Sequence, residues 1–159
     1  VPQINNAEEA KNVVKFAKFY PYGMRGVCRF VRAADYSNCD RYKFFESSKD
    51  VLIILQLEGI KAIENLDEIL DVEGVDILFI GPYDLSQSLG IPGQVNPVVV
   101  NAMKDIVERA KAKGKVVGTF VDTPQDLKMW KEIGVQYLSY SVDVGIFIDA
   151  CKQLRKSFE

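Results

Sequence analysis

Beyond about residue 50, the hydrophobic positions alternate between short continuous runs and faces with helical spacing. The run Val51-Leu52-Ile53-Ile54-Leu55, closing in Gln56-Leu57-Glu58, predicts a strand over 51–58. An amphipathic stretch follows over 60–71, with Ile60, Ile63, Leu66, Ile69 and Leu70 at the spacing of a helix face. Ile77-Leu78-Phe79-Ile80 predicts a strand over 76–80, which leads into a Gly/Pro/Ser-rich loop over 81–96 containing Gly90-Ile91-Pro92-Gly93. A helix over 97–113 puts Val99, Met103, Ile106, Val107 and Ala110 on one face, and Gly114 stops it. A strand over 116–121, a helix over 124–133 ending at Gly134, a strand over 136–140 and a helix over 144–157 complete the pattern. Four near-continuous apolar strands alternating with helices predict an α/β fold, with a parallel sheet covered by helices on at least one face.

The first fifty residues read differently. Asn5 or Asn6 can cap a helix over 7–19 that opens Ala7-Glu8-Glu9-Ala10 and stops before Pro21. Between Tyr20 and Asp50 lies an aromatic, Arg-rich and weakly periodic stretch, a length of connection that usually serves binding or assembly. Strand starts near 51, 76, 116 and 136 average about 28 residues apart, close to the repeat unit of a (β/α)8 TIM barrel of about 250 residues. Only four such units and a strand stub at Val1-Pro2 fit, and the opening at Val1 rather than Met reads as if something had been removed. The expectation is one partial barrel domain over 1–159, resembling the C-terminal half of a barrel. It comprises a helix and long connection in 1–50 and four strand–helix units in 51–159. Two unpaired sheet edges are an aggregation hazard, so the missing strands lie elsewhere or the half closes on a partner.

Composition narrows the function classes. The 159 residues are 48% hydrophobic, with 20 basic against 22 acidic side chains and a net charge of -2, well mixed along the chain. No basic face points to nucleic acid or to a membrane surface. No apolar run approaches the roughly 18 residues that cross a bilayer, and there is no leader pattern, so a cytoplasmic location is expected. Cys28, Cys39 and Cys151 are odd in number and lack metal-ligand spacing, which fits a reducing compartment. The chain has no histidine, the side chain best suited to proton transfer near neutral pH.

The candidate chemistry sits where strands run out. Glu58 ends the first apolar strand and Asp84 follows the second, and in a parallel α/β protein neighbouring carboxyl ends open into one shared mouth. Two carboxylates there repel unless they share a proton or a cation, and a divalent cation held by oxygen ligands is the usual answer. Strand alternation puts Gln56 on the same side as Glu58. An amide and two carboxylates suit Mg²⁺ or Mn²⁺, which keep water positions open to substrate. In Gly81-Pro82-Tyr83-Asp84, Gly81 permits close backbone approach, while the N–H groups of Tyr83 and Asp84 face outward at a helix start, where a carboxylate or phosphate binds. The simpler alternatives stay open: each acid can cap the helix that follows it, and Gly-Pro can be merely a turn.

These residues also carry a resemblance. Gln56-Leu57-Glu58, the segment Asn65-Leu66-Asp67-Glu68-Ile69-Leu70-Asp71-Val72-Glu73-Gly74-Val75-Asp76, and Phe79-Ile80-Gly81-Pro82-Tyr83-Asp84-Leu85-Ser86 resemble the HpcH/HpaI aldolase/citrate lyase family, in its branch of 2,4-dihydroxyhept-2-enedioate and 2-keto-3-deoxy sugar-acid aldolases. Val1-Pro2-Gln3, Ala7-Glu8-Glu9-Ala10, Tyr22-Gly23-Met24-Arg25-Gly26, Gly118 and Val142-Asp143 are similar as well. The resemblance implies metal ligation by Glu58 and Asp84, with Mg²⁺, Mn²⁺ or Co²⁺. It also implies substrate contact by Gln56 and by the Gly81–Asp84 turn, where the backbone N–H of Tyr83 holds the carboxylate of pyruvate. The implied reaction is that of a class II aldolase: a carbon–carbon lyase cleaving or forming a 2-oxo-4-hydroxy acid from pyruvate and an aldehyde, in a homo-oligomer, trimer or hexamer.

The chain departs from the family in its proton-transfer and transition-state residues. The histidine and the transition-state arginine of that family match nothing here, so the catalytic residues are unknown, and Arg25 reads as a subunit contact or an ion pair. Impaired activity is expected of this chain alone. A citryl- or malyl-thioester lyase of the same family and a non-catalytic half-barrel with an assembly role are the alternatives. An unrelated flavodoxin-like domain fits the long 20–50 segment poorly.

Overall fold

A computed structural model describes residues 1–93 and 96–158. Part of the expected 81–96 loop, residues 94 and 95, lies outside the described residues. Helix α1 (Ala7–Ala17) is capped by Asn6, whose side chain accepts from Glu9 N–H at 2.9 Å, while the Glu9 carboxylate accepts from Asn5 N–H at 2.7 Å, a near-reciprocal capping pair. The helix ends two residues earlier than expected because Lys18 is already extended. The connection that follows is built from a 3-10 turn (Arg32–Ser37), the short helix α2 (Arg41–Glu46) and a second 3-10 turn (Ser47–Asp50). Its aromatic character resolves into a cluster in which Phe19 meets Phe44 and Phe45 at 5.4 and 5.2 Å, with the Arg25 guanidinium 5.1 Å from the Phe19 ring.

Four parallel strands, β1 (Ile54–Gln56), β2 (Ile77–Ile80), β3 (Val116–Val121) and β4 (Tyr137–Tyr140), lie side by side in chain order. Strand β1 is shorter than its apolar run because pairing at its ends is one-sided: Leu57 N–H reaches Phe79 O, and Ile53 O accepts from Asp76 and Ile77. The crossovers are α3 (Ile60–Glu64) with α4 (Leu66–Leu70), then α5 (Pro82–Ser88) with α6 (Pro97–Ala112), then α7 (Pro124–Ile133); α8 (Asp143–Lys156) follows β4. The expected 60–71 helix breaks at Asn65, whose side-chain amide donates to Asn5 O at 2.9 Å, since asparagine competes with the helical backbone for hydrogen bonds. The 81–96 segment opens with a short helix, with Pro82 in its first turn and Leu85 buried.

Alternation gives the sheet two unlike faces. Leu55, Leu78, Val117 and Val121 are buried under the helices with Val99, Met103, Ile106, Val107 and Ala110 of α6, the face read from the sequence. On the opposite face Gln56, Phe79, Gly118 and Tyr137 stand in register on one level, and Tyr137 is 40% exposed. One face is therefore a packed core and the other, which carries the candidate site, is half open. Among the described residues no helix is long and apolar enough to cross a membrane.

Candidate functional site

The C-terminal tips of the strands bring the two acids together. Glu58 lies just past β1, and Asp84 sits in the first turn of α5, directly after β2. A Cβ at Gly81 would lie 3.2 Å from both Glu58 Oε1 and Asp84 Oδ2, so those oxygens are separated by at most twice that distance. Gly81 keeps the gap between them open. Its φ of -83° is available to any residue, so the need for glycine here is one of space.

Neither acid caps the helix that follows it. Gly59 and Gly81 occupy the N-cap positions, and neither cap has a side-chain hydrogen bond. Asp84 still gains from the positive end of the helix dipole. Glu58 is only 8% exposed and is satisfied by neutral amides: Gln56 Nε2 donates to Oε1 at 3.0 Å, and Gln3 Nε2 donates to Oε2 at 2.9 Å. Each carboxylate oxygen thus accepts one hydrogen bond and keeps a lone pair for another partner.

Tyr83 points elsewhere. Its hydroxyl donates to Asp122 Oδ2 at 2.8 Å, linking α5 to the tip of β3. That hydrogen bond, with burial and the charges of Asp122 and Asp126, raises the phenol pKa above its ordinary value. Gln3 and Asp122 were missed in the sequence. Only the place of Gln3 in the Val1-Pro2-Gln3 opening and that of Asp122 at a strand end hinted at them. A concavity of about 800 Å³ is lined by α1, residues 20–24 and residues 71–73, the last just ahead of β2, away from the strand tips that carry the two acids.

The donor set suits a hard cation. Two carboxylate oxygens face a gap that a single methyl group would fill, and Gln56 stands beside them. Among the described residues no group of three or more His, Cys, Asp or Glu is placed to hold a metal ion. Two carboxylates suffice for Mg²⁺ or Mn²⁺, which keep several positions for water and substrate.

The HpcH/HpaI aldolase/citrate lyase family model matches residues 1–150. The 5-keto-4-deoxy-D-glucarate aldolase of Enterobacter sp. (strain 638) is 35% identical over 160 residues, covering 100% of this chain and 62% of that protein. The 2-keto-3-deoxy-L-rhamnonate aldolase of Escherichia coli (strain K12) is 35% identical over 161 residues, covering 100% of this chain and 60% of that protein. Among solved structures, the HpcH/HpaI aldolase from Desulfitobacterium hafniense superposes with a TM-score of 0.87 at 32% identity, over 99% of this chain and 62% of that one. The chain thus spans 60–62% of the length of these relatives, and its four parallel strands form part of a barrel. With matched residues running from β1 through β4, the chain belongs to the HpcH/HpaI aldolase/citrate lyase family.

Proposed function

We propose that this chain carries the metal- and oxo-acid-binding part of a class II aldolase, a carbon–carbon lyase that cleaves or forms a 2-oxo-4-hydroxy acid from pyruvate and an aldehyde. The observation that carries this reading is the meeting of Glu58 and Asp84 across the space left by Gly81. Related aldolases named for 2-keto-3-deoxy and 5-keto-4-deoxy sugar acids support the choice of substrate class.

Glu58 and Asp84 would hold the divalent cation, and Gln56, which donates to Glu58 Oε1, would orient that carboxylate and contact the oxo acid. The backbone N–H of Tyr83, free of a helical partner in the first turn of α5, takes the substrate carboxylate. When bound, the cation supplies Lewis-acid stabilisation of the negative charge that develops on the keto oxygen. The chain has no imidazole to move a proton, so it binds and orients more than it turns over. Calorimetric titration of the 159-residue chain with Mn²⁺, with and without pyruvate, tests the proposal. Saturable binding strengthened by pyruvate is expected, with loss in Glu58→Ala and in Asp84→Ala; unchanged binding in both variants sinks the reading. Retro-aldol turnover by the purified chain should be slight, and full activity would overturn that part.

A homo-oligomer is proposed on one further observation. Helix α8 has no buried residue, and Val144, Phe147, Ile148, Cys151 and Leu154 form an uncovered stripe with three- and four-residue steps.

A further inference from the structure

We propose that Gln3 is a positioning residue for Glu58, and that a one-residue bulge in the opening segment exists to aim it there. The inference rests on the reading of Glu58 and Asp84 as joint ligands of a divalent cation. The Val1 amino group donates to Ile54 O at 2.7 Å, and Gln56 N–H donates to Val1 O at 2.8 Å, which is parallel pairing centred on Leu55. In an unbroken strand Gln56 O would next accept from Gln3 N–H. It accepts instead from Ile4 N–H at 3.1 Å. The extra residue is Gln3, in the left-handed region at φ 59°, which glutamine rarely adopts.

The bulge changes where side chains go. Without it, alternation would send Gln3 with Val1 and Leu55 towards the helix-covered face. With it, Ile4 enters the core at 5% exposure, and Gln3 reaches the open face to donate to Glu58 Oε2 at 2.9 Å. Asn5 Nδ2 holds the turn by donating to Gln3 O at 2.8 Å. Gln56 occupies the other oxygen, so the carboxylate plane is fixed from both sides, and Oε1 is held with a lone pair to spare beside the gap over Gly81. Non-glycine residues held in sparsely populated backbone conformations by surrounding bonds cluster at functional sites.

The test uses Mn²⁺ as probe and the chain as it exists. Gln3→Met keeps length and loses the amide, whereas Gln3→Gly also loses the amide but relaxes the positive φ. Both should raise the Mn²⁺ dissociation constant about tenfold, within the range found when a ligand-orienting group is removed. Circular dichroism should report an unchanged fold in Gln3→Gly. In the native chain the Gln3 side-chain amide resonances should broaden on adding Mn²⁺, and in Glu58→Ala they should not; this needs no variant at position 3. If Glu58→Ala loses Mn²⁺ while both Gln3 variants bind within about twofold of the native chain, Gln3 serves only the bulge, and the inference falls with the metal reading intact. If Glu58→Ala binds as the native chain does, the metal reading fails and the inference fails with it.

Discussion

Gly81 holds its place by what it leaves out. An alanine there would set its Cβ 3.2 Å from Glu58 Oε1 and from Asp84 Oδ2 without straining the backbone. Gly81→Ala should therefore change unfolding free energy by less than about 1 kcal/mol while weakening Mn²⁺ binding on the order of tenfold, read by urea unfolding and calorimetric titration. Tyr83 allows a test by pH. Its raised phenol pKa means that the bond to Asp122 stabilises the fold at every pH below the unfolded value, and that this stability is lost as pH climbs through the higher folded value. Ultraviolet absorbance titration should show the Tyr83 phenol ionising late, that step vanishing in Tyr83→Phe and moving to lower pH in Asp122→Asn. Because Tyr83 is 44% exposed, losing the bond should cost under about 1 kcal/mol at neutral pH. Glu58, Asp84 and Gly81 were legible as strand-end residues. The Gln3–Glu58 and Tyr83–Asp122 contacts were not, because 55 and 39 residues of chain separate the partners and only folding joins them.

Among the elements, those with strong periodicity were read well. The five α6 positions assigned to one face are the five buried ones, and Asn96 caps that helix from its side chain. Periodicity over 60–71 does not carry continuity: the helix breaks at Asn65, which bonds to Asn5, and Ile60 at its start is 45% exposed. The Gly, Pro and Ser content of 81–96 predicts a loop with only a helix start at Tyr83 and Asp84, whereas α5 runs on to Ser88, with Pro82 and Asp84 as favourable first-turn residues. Strand-to-strand fit gives a sharp prediction. A Cβ at Gly118 would lie 2.7 Å from Tyr137 Cδ1 and 3.0 Å from Tyr137 O, and the backbone oxygen of a paired strand cannot retreat freely. Gly118→Ala should cost about 1–3 kcal/mol, measured by the urea midpoint. Asn6→Ala should cost about 1 kcal/mol through the lost α1 cap, by the same measurement.

At the scale of the whole molecule, the sheet is packed on one face and half open on the other, and α8 extends without burying a residue. Phe147 is 69% exposed at the middle of the α8 stripe. Light scattering should find the native chain as a multimer, and Phe147→Asp should shift it towards the monomer; a monomeric native chain would remove the assembly proposal. By itself the sequence determined the class of fold, the order of strands and helices, and the two carboxylates at neighbouring strand tips, because hydrophobic period and chain order are local properties. Tertiary structure alone decided that Glu58 and Asp84 share the space over Gly81, that a bulge turns Gln3 onto Glu58, and that Tyr83 answers to Asp122. Those contacts depend on the register between parallel strands and on one residue of backbone in the left-handed region, which hydrophobic patterning does not encode.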